Sequence, residues 1–582
     1  MRSRKTAAAI AATVALGLAA TACGSSDSGS GGSHGKADAA LTSIVNKTDK
    51  KGGTVTYEHS SGPDSLDPGN TYYGWVQNFS RLYARALVTF KPAAGKEGLK
   101  IVPDLATSLG KATPDAKTWT YHLRKGVKFQ DGTVITSKDV KYAVERTFAR
   151  EALSNGPTYF STYLKDGDKY KGPYKDKSPD GLKSIETPDD STIVFHLSKP
   201  FADMDYLASF SQTAPVPQKA DKGASYVQNI VSSGPYKFAS YSESRGATLV
   251  RNPQWDPKTD PIRKALPDKI NLKLNITPTT VDEHLLSDTS TADIAGTGLQ
   301  SKTQPKVLTK VAEKAKTDDP YAGALQYLAL NVHVKPFDNA DCRKAVQYVT
   351  DKADMVDAIG GAVRGDPATT VIPPGVSGYK KFDLYPTAGN KGNIAKAKQY
   401  LAKCGKPKGF KTTLTARSDR PDEVTSATQL QQSLKKIGIV ADIKTFPSDK
   451  YFTDFAGVPD WVHKNNAGMM MMAWGADWPA GFGYIDQIVD GKAIKPSGGT
   501  NLMELDDPKI NAEIVKGIGT LDNAKRNATW GKVDQMVMEN ASVVPLFYRK
   551  NLLYRPDSAA NVTVSQAYLG MYDYVLMTST KK

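Results

Sequence analysis

Ser108 and Lys111 stand at the S-x-x-K spacing in which a lysine amine can activate a serine nucleophile. An enzyme built on that pair also needs a K-T-G motif, and the chain has none. The H-E-x-x-H pattern of zinc proteases and the G-x-S-x-G turn of α/β-hydrolases are both missing. Gly481-Phe482-Gly483 lacks the context that makes a glycine-rich loop a phosphate cradle. Seven scattered histidines and three cysteines offer no metal-ligand spacing. The sequence is therefore expected to encode neither an enzyme nor a metal or cofactor protein. What remains are aromatic and charged side chains suited to binding. Among them are Trp474, Asp477 and Trp478 in the run Trp474-Gly475-Ala476-Asp477-Trp478-Pro479. The indoles supply large apolar contact area. Asp477 can equally do no more than cap a turn before Pro479.

A chain of 582 residues is too long for one hydrophobic core, so roughly two or three domains are expected to position these residues. Its composition, 40% apolar and 23% charged, is that of a globular protein. Beyond residue 22 no segment is apolar for long enough to span a bilayer. The net charge of +16 comes from scattered lysines, without a basic helix or an aromatic RNA-binding motif. That predicts a solvated basic surface and no nucleic-acid partner.

Arg2, Arg4 and Lys5, followed by the apolar stretch 7–20, read as a secretion signal. It ends in Ala20-Thr21-Ala22-Cys23, which resembles a bacterial lipobox with Ala20 in the usual leucine position. Cys23 is then the lipidated first residue of the mature chain; an ordinary signal followed by a chance cysteine is the plainer alternative. Residues 24–35 are almost wholly glycine and serine. A coil over 24–50 reaches roughly 30 Å, a tether between a membrane surface and a folded body. Outside the cytoplasm an isolated cysteine pair tends to be joined. For Cys342 and Cys404 that means a disulfide, with two separate buried thiols as the alternative.

Periodicity places the elements. Trp75, Val76, Phe79, Leu82 and Tyr83 recur at helical spacing. Trp119, Tyr121 and Leu123 alternate with Thr120, His122 and Arg124, the period of a half-buried strand, which leaves His122 outward and structural. Thr136 and Asp139 are spaced like a capping box before the stripe Val140, Ala143, Val144 and Phe148. Asp338-Asn339 and Asn393 start two further helices, another runs over about 426–436, and 469–473 suits a buried strand. Helices and strands alternate throughout, which favours a mixed α/β protein.

Trp119-Thr120-Tyr121-His122-Leu123-Arg124-Lys125-Gly126-Val127-Lys128-Phe129-Gln130-Asp131-Gly132, then Thr136-Ser137-Lys138-Asp139-Val140, carries a more specific pattern. It is similar to the W-T-F-x-L-R-x-G-V-K-F-x-D-G and T-A-x-D-V motifs of extracellular solute-binding proteins of family 5, the oligopeptide, dipeptide and nickel class. Ser65-Leu66-Asp67-Pro68, the segment Pro103 to Ser108, Ser233-Gly234-Pro235-Tyr236 and Val544-Pro545-Leu546 extend the resemblance over residues 52–550.

The resemblance implies a two-lobed, periplasmic-binding-protein-like clamp. Each α/β lobe has a mixed sheet flanked by helices, with an extra domain and strands crossing between the lobes as a hinge. It sets a signal peptide at 1–22, a tether at 23–51 and an extra domain at 81–204. Lobe I is discontinuous, 52–80 with 205–318 and 545–582, and lobe II is 319–544. The implied protein is a monomer, anchored by its lipid to the outer face of the cell membrane and serving an ABC-type permease. An oligopeptide is the expected ligand; a nickel chelate, haem or a sugar on the same scaffold is the alternative.

In peptide-binding members a G-W-x-x-D segment presents a carboxylate to the ligand's α-ammonium. Here Ala473 replaces the glycine, and the role falls on Asp477. A charged hydrogen bond of that kind contributes about 1.5–3 kcal/mol. Trp474 and Trp478 are expected to wall the cleft, with a place in the core as the alternative for Trp474. Tyr72, Tyr73 and Gly74 correspond to a stretch that contacts peptide in relatives. Arg417 and Arg420 are expected on an exposed loop, reaching a ligand carboxylate or staying solvated.

Overall fold

The computed structural model describes residues 36–581. The signal segment, Cys23 and the Gly/Ser run lie outside the described residues. No helix among those described is long and apolar enough to cross a membrane.

Three sheets carry the fold. In the first, Thr54–Glu58 lies between two parallel neighbours, Lys269–Lys273 and Ala292–Asp293; Gly246–Arg251 and Tyr236–Ser242 continue it antiparallel. Val55 and Tyr57 point into a core shared with Phe79 and Tyr83. These last two come from the segment of helical period, which forms the helix Gly74–Ser80 and the turn after it.

The second sheet is antiparallel: Lys111–Ala112, Thr118–His122, Thr192–His196, Ile185–Asp189. Trp119 and Tyr121 are buried opposite Phe195 and Ile193, while His122 is exposed, its ring Nδ1 lying 3.2 Å from the Thr192 hydroxyl. The helix Ser137–Arg146 opens as its spacing predicts, with the Asp139 carboxylate accepting the Thr136 N–H at 2.8 Å.

The third sheet has six strands in the order Gly365–Pro367, Val543–Lys550, Tyr321–Leu330, Met469–Gly475, Lys411–Arg417, Val440–Phe446. Met469 to Met472 are fully buried, as a strand with both faces covered requires. The helix Pro421–Lys435 starts earlier than its apolar stripe suggests. Its first turn is built from Pro421, Asp422 and Glu423, residues that suit a helix start without adding apolar signal. Val543–Lys550 is continuous with this sheet, so the expected boundary between 544 and 545 falls inside a strand. The V-P-L match marks the motif, whereas the apolar run carries on to Tyr548.

The helices Ala340–Val349 and Ile394–Lys403 begin at the side-chain caps Asn339 and Asn393. Cys342 and Cys404 are bonded to each other, with Cα atoms 5.4 Å apart across a sequence separation of 62. Closing a loop of that length is worth about 4 kcal/mol in the chain-entropy account.

The chain passes from the first sheet to the third just after 318 and returns just before 553. There Thr317–Asp318 pairs antiparallel with Leu553–Tyr554. Asp318 anchors this ladder, accepting the Ala40 N–H and the Tyr572 hydroxyl at 3.0 Å each and pairing with Arg555.

Candidate ligand-binding cleft

The six-stranded sheet decides where a ligand can sit. The strands Lys411–Arg417, Val440–Phe446 and Met469–Gly475 are parallel to one another, and Tyr321–Leu330 runs against them. Val543–Lys550 runs against Tyr321–Leu330, so four carboxyl ends meet at one edge. Crevices at such an edge are the usual ligand sites of α/β sheets. Arg417 ends one of these strands, Arg549 lies next to the end of another, and Arg364 immediately precedes the neighbouring Gly365–Pro367. Trp474 and Asp477 leave the same edge.

Two distant parts of the chain converge on the Asp477 carboxylate. The Tyr159 hydroxyl donates to its Oδ2. The Tyr72 hydroxyl reaches both the same carboxylate and the Tyr159 hydroxyl, although Tyr72 remains about half exposed. Tyr72 is held by Asp64, whose carboxylate accepts the Thr71 hydroxyl at 2.6 Å and the Tyr72 backbone N–H. Burial pushes the Asp477 carboxyl above its ordinary pKa, and the two phenol hydrogen bonds pull it back only in part. Among the described residues no lysine, arginine or histidine pairs with it.

Three chambers adjoin here. Asp477 lines one of about 200 Å³ with Tyr72, Gly74, Phe210 and Tyr568. Gly475 also borders a second, of about 580 Å³, lined by Trp474 and four arginines, and by Ala295, Thr297, Leu299, Gln300 and Ser301, which follow the strand Ala292–Asp293 of the first sheet. Tyr72 also borders a third, of about 690 Å³, with Tyr159, Tyr163, Phe482 and Asp486 on its walls.

The structure sorts the expected site residues. Asp477, Tyr72, Gly74 and Trp474 face these chambers, and the half-buried Trp474 leaves its Nε1 without a partner. Trp478 does not wall the cleft. Its ring is 2% exposed, its Nε1 donates to Asp203 at 3.1 Å, and it stacks on Phe482 at 5.4 Å with Tyr159 edge-on at 4.9 Å. It buttresses the tyrosine that holds Asp477. Tyr73 lines none of the three chambers; its carbonyl accepts the Val76 N–H at the start of a helix and its ring is half exposed. Arg417 is no loop residue: it closes a strand, is largely buried and forks onto Glu423. Tyr159 was not singled out by the sequence, because nothing in Pro157-Thr158-Tyr159 marks a contact spanning 318 positions.

Two sheet-built bodies joined by a short ladder, with chambers lined from both, define a solute-binding clamp. The chain belongs to the bacterial extracellular solute-binding proteins, family 5: the model described as that family's Middle part matches residues 100–495. It is 38% identical to the solved structure titled clavulanic acid biosynthesis oligopeptide binding protein 2, with TM-score 0.89 over 94% of this chain and 99% of that one. The probable D,D-dipeptide-binding periplasmic protein DdpA of Escherichia coli K12 is 26% identical over 508 residues, 84% of this chain and 87% of the relative. Heme-binding protein A of Haemophilus influenzae is 26% identical over 519 residues, 85% and 86% of the two chains.

Proposed function

We propose that this protein captures peptides with a free amino terminus outside the cytoplasm and delivers them to an ABC-type permease. The observation that carries the reading is Asp477: a buried carboxylate, held by two phenols, with no cation among the described residues paired to it. Such a group is costly until a cation arrives, and a peptide α-ammonium fits the small chamber beside it. Two of the relatives named above are called peptide-binding, which supports the same cargo.

Thermal unfolding of the purified protein with defined ligands tests it. A ligand present at a hundred times its Kd stabilises the fold by about 2.7 kcal/mol. Tm is expected to rise with free tri- and tetrapeptides and to stay unchanged with their N-acetylated forms. A response to haem or a sugar, with none to any peptide, overturns the reading. Delivery predicts that cells lacking the protein lose uptake of a labelled peptide that binds.

The lipid anchor at Cys23 belongs to the same proposal, because capture for a permease works best when the captor stays at the membrane. Cys23→Ser is expected to move the protein from the membrane fraction into the medium. Unchanged fractionation means that Cys23 is not the anchor.

A further inference from the structure

The arginine chamber holds more cationic hydrogen-bonding capacity than the protein satisfies. Arg364, Arg417, Arg420 and Arg549 line it, and among the described residues no acidic one does. Behind them stand three carboxylates. Glu423 is engaged by Arg417 alone. Asp422 is shared, with Arg549 at 2.8 Å and Arg364 at 3.4 Å, so two guanidiniums have one counter-charge. Asp419 lies 3.9 Å from Arg420 at the exposed rim and is hydrogen-bonded to Ser448.

The donors tell the same story. None of the four Nη1 groups donates to the protein among the described residues: the bonds present run from Nε or Nη2. Two more donors in the chamber wall, Arg364 Nε and Trp474 Nε1, are buried without a partner. Buried donors left unpaired are expensive, and guanidinium forks match carboxylate geometry in a bidentate way.

One carboxylate balances the excess of the Arg364–Asp422–Arg549 group. Arg420, with about half of its side chain exposed and only a loose ion pair, remains available for another. We infer that this chamber takes two anionic groups of one ligand, so that the preferred peptides carry aspartate or glutamate at the carboxyl end. The inference rests on the peptide reading above. Distance agrees with it: Trp474 and Asp477 are three residues apart, at most about 10 Å along the chain. An ammonium at Asp477 and carboxylates among the arginines are then the two ends of one short peptide.

Calorimetric titration of the full protein with Ala-Ala-Glu and Ala-Ala-Gln tests this. The glutamate peptide is expected to bind at least tenfold more tightly, with the gap shrinking as salt is raised. The gap is expected to fall to threefold or less in whichever of Arg420→Gln and Arg549→Gln removes the partner of the glutamate side chain, while Ala-Ala-Gln still binds both variants. That second titration shows that the variants are folded, and Arg420 at the rim is the safer of the two. Equal affinity of the two peptides for the wild type, or a gap unchanged in both variants, overturns the inference and leaves the peptide reading standing. Binding of neither peptide to the wild type overturns both.

Discussion

Asp477→Asn is expected to weaken the binding of free peptides by at least a hundredfold. The variant keeps the shape and an acceptor for one phenol but removes the only charge opposing the ligand's ammonium. Stripping one partner from a buried ion pair costs about 3–5 kcal/mol, and 1.4 kcal/mol is about tenfold in affinity. The ligand-free protein should respond in the opposite sense. Burial holds the folded-state pKa of Asp477 above the unfolded value of about 3.9. A carboxyl of that kind contributes stability that is fully present below about pH 3.9 and lost as pH rises through the raised pKa. Asparagine carries no such loss, so at neutral pH the variant without ligand should unfold no earlier than wild type. Peptide affinity of the wild type should itself fall as pH drops through that pKa, and the variant should lack the dependence. An unaltered affinity in Asp477→Asn removes the ammonium receptor from the site.

Arg146→Met is expected to destabilise the fold by about 3–5 kcal/mol, the cost of leaving buried carboxylates without their cation. Arg146 is fully buried, forks onto Asp67 at 2.8 and 3.2 Å, and reaches Asp221 at 2.9 Å. Its guanidinium also lies over the Tyr226 ring at 4.6 Å. Met fills much of the volume but leaves Asp67 and Asp221 facing each other inside the protein. Function should suffer as well. Asp67 accepts the Gly69 N–H at 3.0 Å and shapes the turn that presents Tyr72 to Asp477. Urea unfolding measures the first effect and peptide titration the second. A Met variant within about 1 kcal/mol of wild type means that the Arg146 cluster contributes far less than a buried network should.

How much of this was legible depended on the range of the interaction that settled each residue. Asn339, Asn393 and the Thr136–Asp139 pair act within three positions, so local spacing was enough to place three helix starts. The Trp119–Leu123 alternation likewise needs only the pleat of one strand. Trp474 and Trp478 were alike in sequence and differ in the fold because Phe201, Phe210 and Tyr206 close over Trp478 alone. No pattern near residue 478 encodes partners that lie more than 260 positions away. Arg417 resembled a loop residue because Ser418-Asp419-Arg420-Pro421 is rich in turn formers. Its fate was decided by Glu423, six residues ahead in the first turn of the next helix, which draws the guanidinium back over the strand end. The arginine chamber was the least visible feature, since its four members span residues 364 to 549 and meet only through sheet order.

The ladder of Thr317–Asp318 with Leu553–Tyr554 has a mechanical consequence. Two strands side by side make a ribbon that is stiff within its plane and compliant across it. Sliding or splaying the strands would break the pairing of Thr317 with Tyr554 and of Asp318 with Leu553. Folding the ribbon over breaks neither. With Arg555, Tyr572 and Ala40 clamping Asp318, one end of the ribbon is fixed like the leaf of a flat spring. Taken by itself, the ladder favours rotation about a single axis, and the separation of one residue pair across the mouth would report such a rotation. In the peptide reading proposed above, binding energy from either end of a ligand would be delivered to the same coordinate, the ammonium and carboxylate contacts acting as two forces on one lever.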